Sequence, residues 1–263
     1  MKINLGLAAL AAIALTSPVL AADVVRAPVR VPAAAAVASP LTGDVSFFAG
    51  FQEGPFSEHH GIFGGEGRFA WGLGSAMVLQ GDAGGQSRVD SDGFGSSTFA
   101  LTGHLYNRGM GGALGVKVDV ENLVPIMAYT AGLEGQLFMG NLTLGAELNG
   151  GTYTLCDCTG MQARGLARLY LNPNTRLQFD AAWWGGDFWS NNPWSVAASI
   201  SQRMAGTPFN LGAQLRYDDI NYDTSWSGRV SLTVNFDRPG STTLSHDREV
   251  VFDSYRAFWS GGP

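Results

Sequence analysis

Few residues in this chain could do chemistry, and they are widely spaced. The sequence holds four histidines and two cysteines. His59 and His60, with Glu53 and Ser57 nearby, form the one histidine-rich stretch, which reads as a solvated loop. Adjacent residues on an extended segment point to opposite faces, so the pair makes neither a ready set of metal ligands nor a nucleophile with its base. Cys156 and Cys158 flank Asp157; an offset of two closes a small strained ring on oxidation, giving a labile disulfide or a pair of thiols, and matches no metal framework. His246 belongs to the C-terminal tail. No catalytic, cofactor-binding or metal-binding set emerges. The remaining candidates are charges on alternating positions of apolar segments: Arg68, Lys117, Arg164, Arg168, Arg176, Arg203, Arg216 and Arg229 against Asp82, Asp119, Glu134, Glu147, Asp180 and Asp218, with His104 among them. Their chemistry is electrostatic. Lining a water-filled pore, such a wall selects ions, and an excess of arginine favours anions. Across a narrow lumen, the same charges pair and close it.

The composition narrows what can carry those charges. Charged residues make up 14% of the 263 positions, well under the roughly 25% of soluble domains, while 45% are hydrophobic and 36 are glycine. That balance is the reverse of a disordered chain. A net charge of −6 and no cluster of Lys or Arg argue against a nucleic-acid partner.

The N-terminal residues point to a compartment. Lys2, an apolar run from Leu5 to Leu15 and the small-residue stretch Val19-Leu20-Ala21-Ala22 follow the order of a secretory signal peptide, residues 1–22. Outside the cytoplasm the two cysteines could oxidise. Residues 23–42, rich in Ala, Pro and Val, lack periodicity and read as an extended linker.

From residue 43 to 236 apolar residues recur at every second position, the mark of a half-buried strand. Val230, Leu232, Val234 and Phe236 alternate with Arg229, Ser231, Thr233 and Asn235; Leu142, Leu144, Ala146 and Leu148 alternate with Thr143, Gly145, Glu147 and Asn149. Twelve such segments are present. Ten strands remain open if residues 69–83 are one bent strand, and fourteen if the tail adds to the sheet. The connections sort by length: 74–75, 107–110, 140–141, 172–174 and 205–208 are short, and those between them are longer. Short turns on one side and longer loops on the other belong to a transmembrane antiparallel β-barrel, here of about twelve strands with both termini periplasmic.

A ligand-binding soluble barrel has the same period with its apolar face inward. The polar face here carries Gly, Ser, Thr, Asn and Gln with scattered Arg, which is wrong for a soluble exterior. Aromatics gather near strand ends: Trp183, Trp184, Trp194, Tyr217 and Trp226 toward one rim, Tyr106 and Tyr170 toward the other, as interfacial girdles do. Inward Gly and Ala, among them Ala113, Gly115, Gly132 and Gly145, leave room for an opening. The Ala-Ala-Asp start at residues 21–23, the Ala/Pro/Val linker and the strand pattern together resemble alphaproteobacterial outer-membrane porin-family proteins. Val230-x-Leu232-x-Val234-x-Phe236 resembles the closing-strand signal read by the barrel assembly machinery, although it lies well before residue 263. The resemblance implies a Gram-negative outer membrane, with lipid bilayer, lipopolysaccharide and assembly machinery as partners, no cofactor, and passive diffusion of small hydrophilic solutes, to which the inner Arg residues add a mild anion preference. The rivals are a structural barrel with a filled lumen and an outer-membrane lipid hydrolase. The tail, residues 237–263, either docks at the periplasmic mouth or enters the lumen, or extends freely.

Overall fold

A computed structural model describes residues 41–53, 59–74, 76–89, 95–122, 126–154, 158–187, 192–220, 223–238 and 240–253. The signal and linker residues 1–40 lie outside them, as do Ser57 and Cys156. Twelve strands follow one another: β1 (Thr42–Glu53), β2 (His59–Gly72), β3 (Met77–Val89), β4 (Ser97–Gly109), β5 (Gly112–Asn122), β6 (Met127–Met139), β7 (Leu142–Tyr153), β8 (Cys158–Asn172), β9 (Thr175–Gly185), β10 (Trp194–Arg203), β11 (Phe209–Ile220) and β12 (Asp223–Phe236). A short helix, α1 (Thr243–Glu249), comes after them. Each strand pairs antiparallel with its sequence neighbours, and β1 closes on β12 from Gly43 opposite Phe236 to Glu53 opposite Trp226. The barrel has no free sheet edge, so every interior ladder position is paired. β2 ends at Gly72 and β3 begins at Met77, so this stretch is two strands, and the described residues of the tail add a helix but no strand, which removes the ten- and fourteen-strand alternatives.

The side-chain period decides what faces where. In β6, Leu133 is 61% exposed whereas its neighbour Glu134 is 3% exposed. β4 repeats this, with Phe99, Leu101 and Leu105 outside and Ala100, Thr102, His104 and Tyr106 buried inside. A soluble barrel would show the opposite order. An exterior of Leu, Val, Phe and Trp has no favourable partner in water and a good one in hydrocarbon.

At the end of the barrel where β1 begins and β12 finishes, the terminal end, the tightest turns are 110–111, 140–141 and 173–174. Gly140 in one of them has φ +58°, a conformation that glycine adopts without a Cβ clash and that suits a two-residue hairpin. The loop lengths are less sharply sorted than the sequence suggests. Strands run further than expected: β2 already starts at His59, and β11 reaches Ile220 with β12 starting at Asp223. Backbone pairing continues past the apolar part of each strand because an extended hairpin still satisfies its own N–H and C=O groups. His59 and His60 accordingly sit on β2 rather than in a loop, His59 exposed and His60 buried.

Candidate lumen and its C-terminal occupant

The inner wall is built by one parity of each strand. Asp82, His104, Lys117, Asp119, Glu134, Glu147, Arg164, Arg168, Asp180, Arg203 and Arg216 are buried on it, and Arg68, Arg176 and Arg229 are half-buried there. The charges meet one another along single strands and across one or two strands. His104 stands between two carboxylates, its Nδ1 2.8 Å from Glu134 and its Nε2 3.1 Å from Asp82. Lys117 is 3.0 Å from Asp119 and also bonds Glu147, reaching over β6 at the position of Gly132. A Cβ on Gly132 would come within 2.3 Å of the Leu148 carbonyl oxygen, so this crossing needs glycine. Arg164 donates to Asp180 through Nε at 3.0 Å, and Arg216 pairs with Asp218 at 2.6 Å.

Three of the expected girdle residues belong to the lumen instead. Tyr106, Tyr170 and Trp184 are 1%, 2% and 3% exposed and point inward. Nearness to a strand end suggested a girdle, but each shares parity with an inward neighbour: Tyr106 with His104, Tyr170 with Arg168, Trp184 with Ala182. Trp184 lines a small cavity at the far end with Tyr153 and Gln162. Trp183, Trp194, Tyr217 and Trp226 do stand outside, on four consecutive strands, with Tyr217 5.3 Å from Trp194 and 4.9 Å from Trp226 between ring centres. Around the terminal end the outward aromatics are Phe69, Trp71, Phe209 and Phe236, with Phe69 stacked on Phe236.

The tail enters this lumen. α1 opens with a capping box, Thr242 Oγ1 accepting from the Ser245 N–H and Ser245 Oγ from the Thr242 N–H. It lies across the terminal mouth, the Leu244 N–H donating to the Pro173 carbonyl at 3.0 Å and Arg248 to the Gly140 carbonyl at 2.5 Å. His246 is held between Asp44 at 2.9 Å and Asp237 at 3.2 Å, while Asp247 meets Arg176 at 2.8 Å and Tyr170 at 2.9 Å. Burial alone would lower the His246 pKa, yet hydrogen bonds to Asp237 and Asp44 hold it up to about 9. Burial works against the ionised form of Asp237 too, but bonds from Arg203 and His246 bring it down to about 2.

Beyond α1 the chain climbs as an extended strip. Val250 and Val251 are fully buried and Phe252 is 4% exposed, packed on Ala70, Val78, Tyr106 and Ala113. Side chains of this size contribute roughly 1.5–3 kcal/mol each when withdrawn from water. The wall binds the strip mostly through its main chain. Tyr106 and Arg108 donate to the Glu249 carbonyl, Gln136 and Arg168 to Val251, Gln80 to Phe252 and Arg164 to Asp253, at 2.6–3.2 Å. The Asp253 carboxylate adds pairs with Arg168 at 3.0 Å and Arg164 at 3.2 Å. Room expected from small inward residues is therefore taken up on this side: Ala113 packs against the strip, a Cβ on Gly115 would meet the Tyr106 Cβ at 2.5 Å, and one on Gly145 would meet Leu166 at 2.9 Å.

What stays open is a polar cavity of about 170 Å³ on the opposite side. Ser199 and Ser201 of β10, Gln214 of β11, Ser227 and Ser231 of β12 and Ser46 of β1 line it, with Arg216 and Arg229 among them; His246, Asp247 and Asp253 of the tail form its other wall. The Arg229 guanidinium lies 4.9 Å over the Phe48 ring. Two inward carboxylates absent from the sequence-based set, Asp44 and Glu66, also border this space. Both sit at the parity of known inward neighbours, Asp44 with Ser46 and Glu66 with Arg68, so the alternation rule applied to β1 and β2 would have found them. Cys158 at the start of β8 is disulfide-bonded, and Cys156 is the other cysteine of the sequence.

No protein-family profile matches the chain, and no curated protein matches it in sequence. Its fold is shared with solved outer-membrane barrels. An outer membrane channel from Pseudomonas putida F1 aligns with TM-score 0.55 and 12% identity over 74% of this chain and 95% of that one. The NanC porin aligns with TM-score 0.57 and 8% identity over 73% and 100% of the two chains, and the KdgM porin with 0.52 and 8% over 74% and 99%. At such identities the likeness is one of fold: a closed antiparallel barrel with its polar side inward.

Proposed function

We propose that the chain is an outer-membrane channel through which small hydrophilic solutes diffuse passively, with a mild preference for anions. One observation carries the reading: a polar lumen with an open cavity of about 170 Å³, enclosed by a sheet whose exterior is apolar. The solved barrels of the same fold are described as a channel and as porins rather than as enzymes, which favours passage over catalysis. The lipid bilayer and its lipopolysaccharide cover the apolar exterior of a Gram-negative outer membrane, and the barrel assembly machinery reads β12. The anion preference rests on Arg216 and Arg229, which face the open cavity. It stays mild because Asp218 pairs Arg216 and carboxylates pair most of the wall's other cations. Reversal potentials across a KCl gradient in planar bilayers test this: the wild-type pore should favour chloride and the Arg216→Ala, Arg229→Ala double variant should lose that bias. A wild-type pore that favours potassium would overturn the preference.

A second reading, a structural barrel with a filled lumen, is favoured by the tail strip and by the ion pairs around it. Absence of current steps at any voltage, from the full-length protein and from one lacking the tail, would select it.

A further inference from the structure

We propose that the lumen wall from β3 to β8 is a binding site for an extended peptide, that it reads the peptide's main chain, and that its occupant is the chain's own segment 249–253, which thereby acts as a removable plug. The proposal rests on the channel reading for its consequence, whereas the site itself stands on geometry. Donors from four strands converge on four successive or near-successive carbonyls: Gln80 of β3, Tyr106 and Arg108 of β4, Gln136 of β6, and Arg164 and Arg168 of β8. Such an array recognises an extended backbone in the way a sheet edge does, with apolar recesses for alternate side chains; Phe252 fills one, stacked at 5.9 Å on His104 and edge-on to Tyr106 at 5.0 Å.

Two further features make the occupant separable from its site. The barrel closes through its own twelve pairings, none of which involves residues after Phe236. In addition, the open cavity has the tail as one of its walls, so departure of the tail would merge that cavity with the groove the strip now fills. The latch at the mouth is ionic, through His246 and Asp247, while the strip beyond it is held by hydrogen bonds and apolar contact.

The test compares full-length protein with a chain ending at Asp237, both judged folded by heat-modifiable migration and recorded in planar bilayers. Truncation should raise single-channel conductance by roughly twofold or more, since a pore's current follows its open cross-section. A synthetic peptide of residues 240–253, added at the terminal end of the truncated barrel, should restore the small conductance, and a scrambled peptide or addition at the far end should not. Combining Tyr106→Phe with Gln136→Leu in the truncated barrel removes two donors and should weaken block by roughly tenfold. If full-length and truncated pores carry equal current, the plug is wrong and the channel survives. If both are silent, the channel reading and the plug fall together. If peptide blocks from either end alike, the site is wrong. Should the truncated chain fail to fold, the full-length Asp247→Asn, His246→Gln variant takes its place: more frequent or larger openings support the plug, and unchanged ones overturn it.

Discussion

His246 is the residue whose chemistry has the most visible consequence. It bridges Asp44 of β1 and Asp237 after β12, with Asp247 beside it and Arg68 and Arg176 on the same stretch of wall. Its pKa is raised from the ordinary 6.5 to about 9, so the charged bridge is fully present below the lower value and is lost as pH rises through the upper one. Conductance of the full-length protein should therefore increase between pH 8 and pH 10, a step that His246→Gln should abolish; a flat profile would remove this latch from the account. Asp237 behaves in the opposite sense, its contribution disappearing only as pH falls through about 2. Deeper in the lumen, Lys117 pairs with both Asp119 and Glu147, all three buried. Lys117→Met should cost about 3–5 kcal/mol, the range for stranding a buried partner charge, and adding Glu147→Gln should recover part of it. Urea unfolding of the barrel in lipid vesicles measures both.

Elements are placed by parity. A charge introduced on the outer face should be expensive and one on the inner face tolerated: Leu133→Arg near the middle of β6 should destabilise by about 2–4 kcal/mol in a bilayer, and Ser199→Arg beside the cavity should stay nearly neutral. Similar costs at the two sites would mean that Leu133 does not meet acyl chains. The crossing over β6 gives a second expectation. Gly132→Ala should lower stability by about 1–3 kcal/mol because its Cβ is directed at the β7 backbone, whereas Gly165→Ala, which meets nothing within 4 Å, should be close to neutral. At this scale the strands were readable in advance. Position along the strand suggests a girdle for Tyr106, Tyr170 and Trp184, but their parity turns each of them inward.

For the whole molecule, the twelve antiparallel pairings that complete the barrel include no tail residue, so closure is expected without the tail. The unboiled protein should migrate faster than the boiled form on a detergent gel, and the chain ending at Asp237 should do the same; a truncated chain that migrates identically with and without boiling would show that the tail belongs to the barrel's fold. High salt should weaken the ionic latch of α1 less than it would a surface pair, because His246 and Asp247 are each about 3% exposed.

Alternation by itself determined an antiparallel sheet of about twelve strands and the inward side of most charged residues, because a strand's side chains have only two faces and one of them must suit hydrocarbon; the pairing of β1 with β12 then fixed the count at twelve. The same rule implied Asp44 and Glu66. It carried no information about residues 250–253, since the wall recognises their carbonyl oxygens, which every residue type possesses. Pairing among charges far apart in sequence, such as Lys117 with Glu147, also required the closed sheet, which alone sets how far one strand's side chain reaches over the next. Tertiary structure therefore decided how full the lumen is: a period-two pattern fixes direction, but the width left inside depends on what folds back into it.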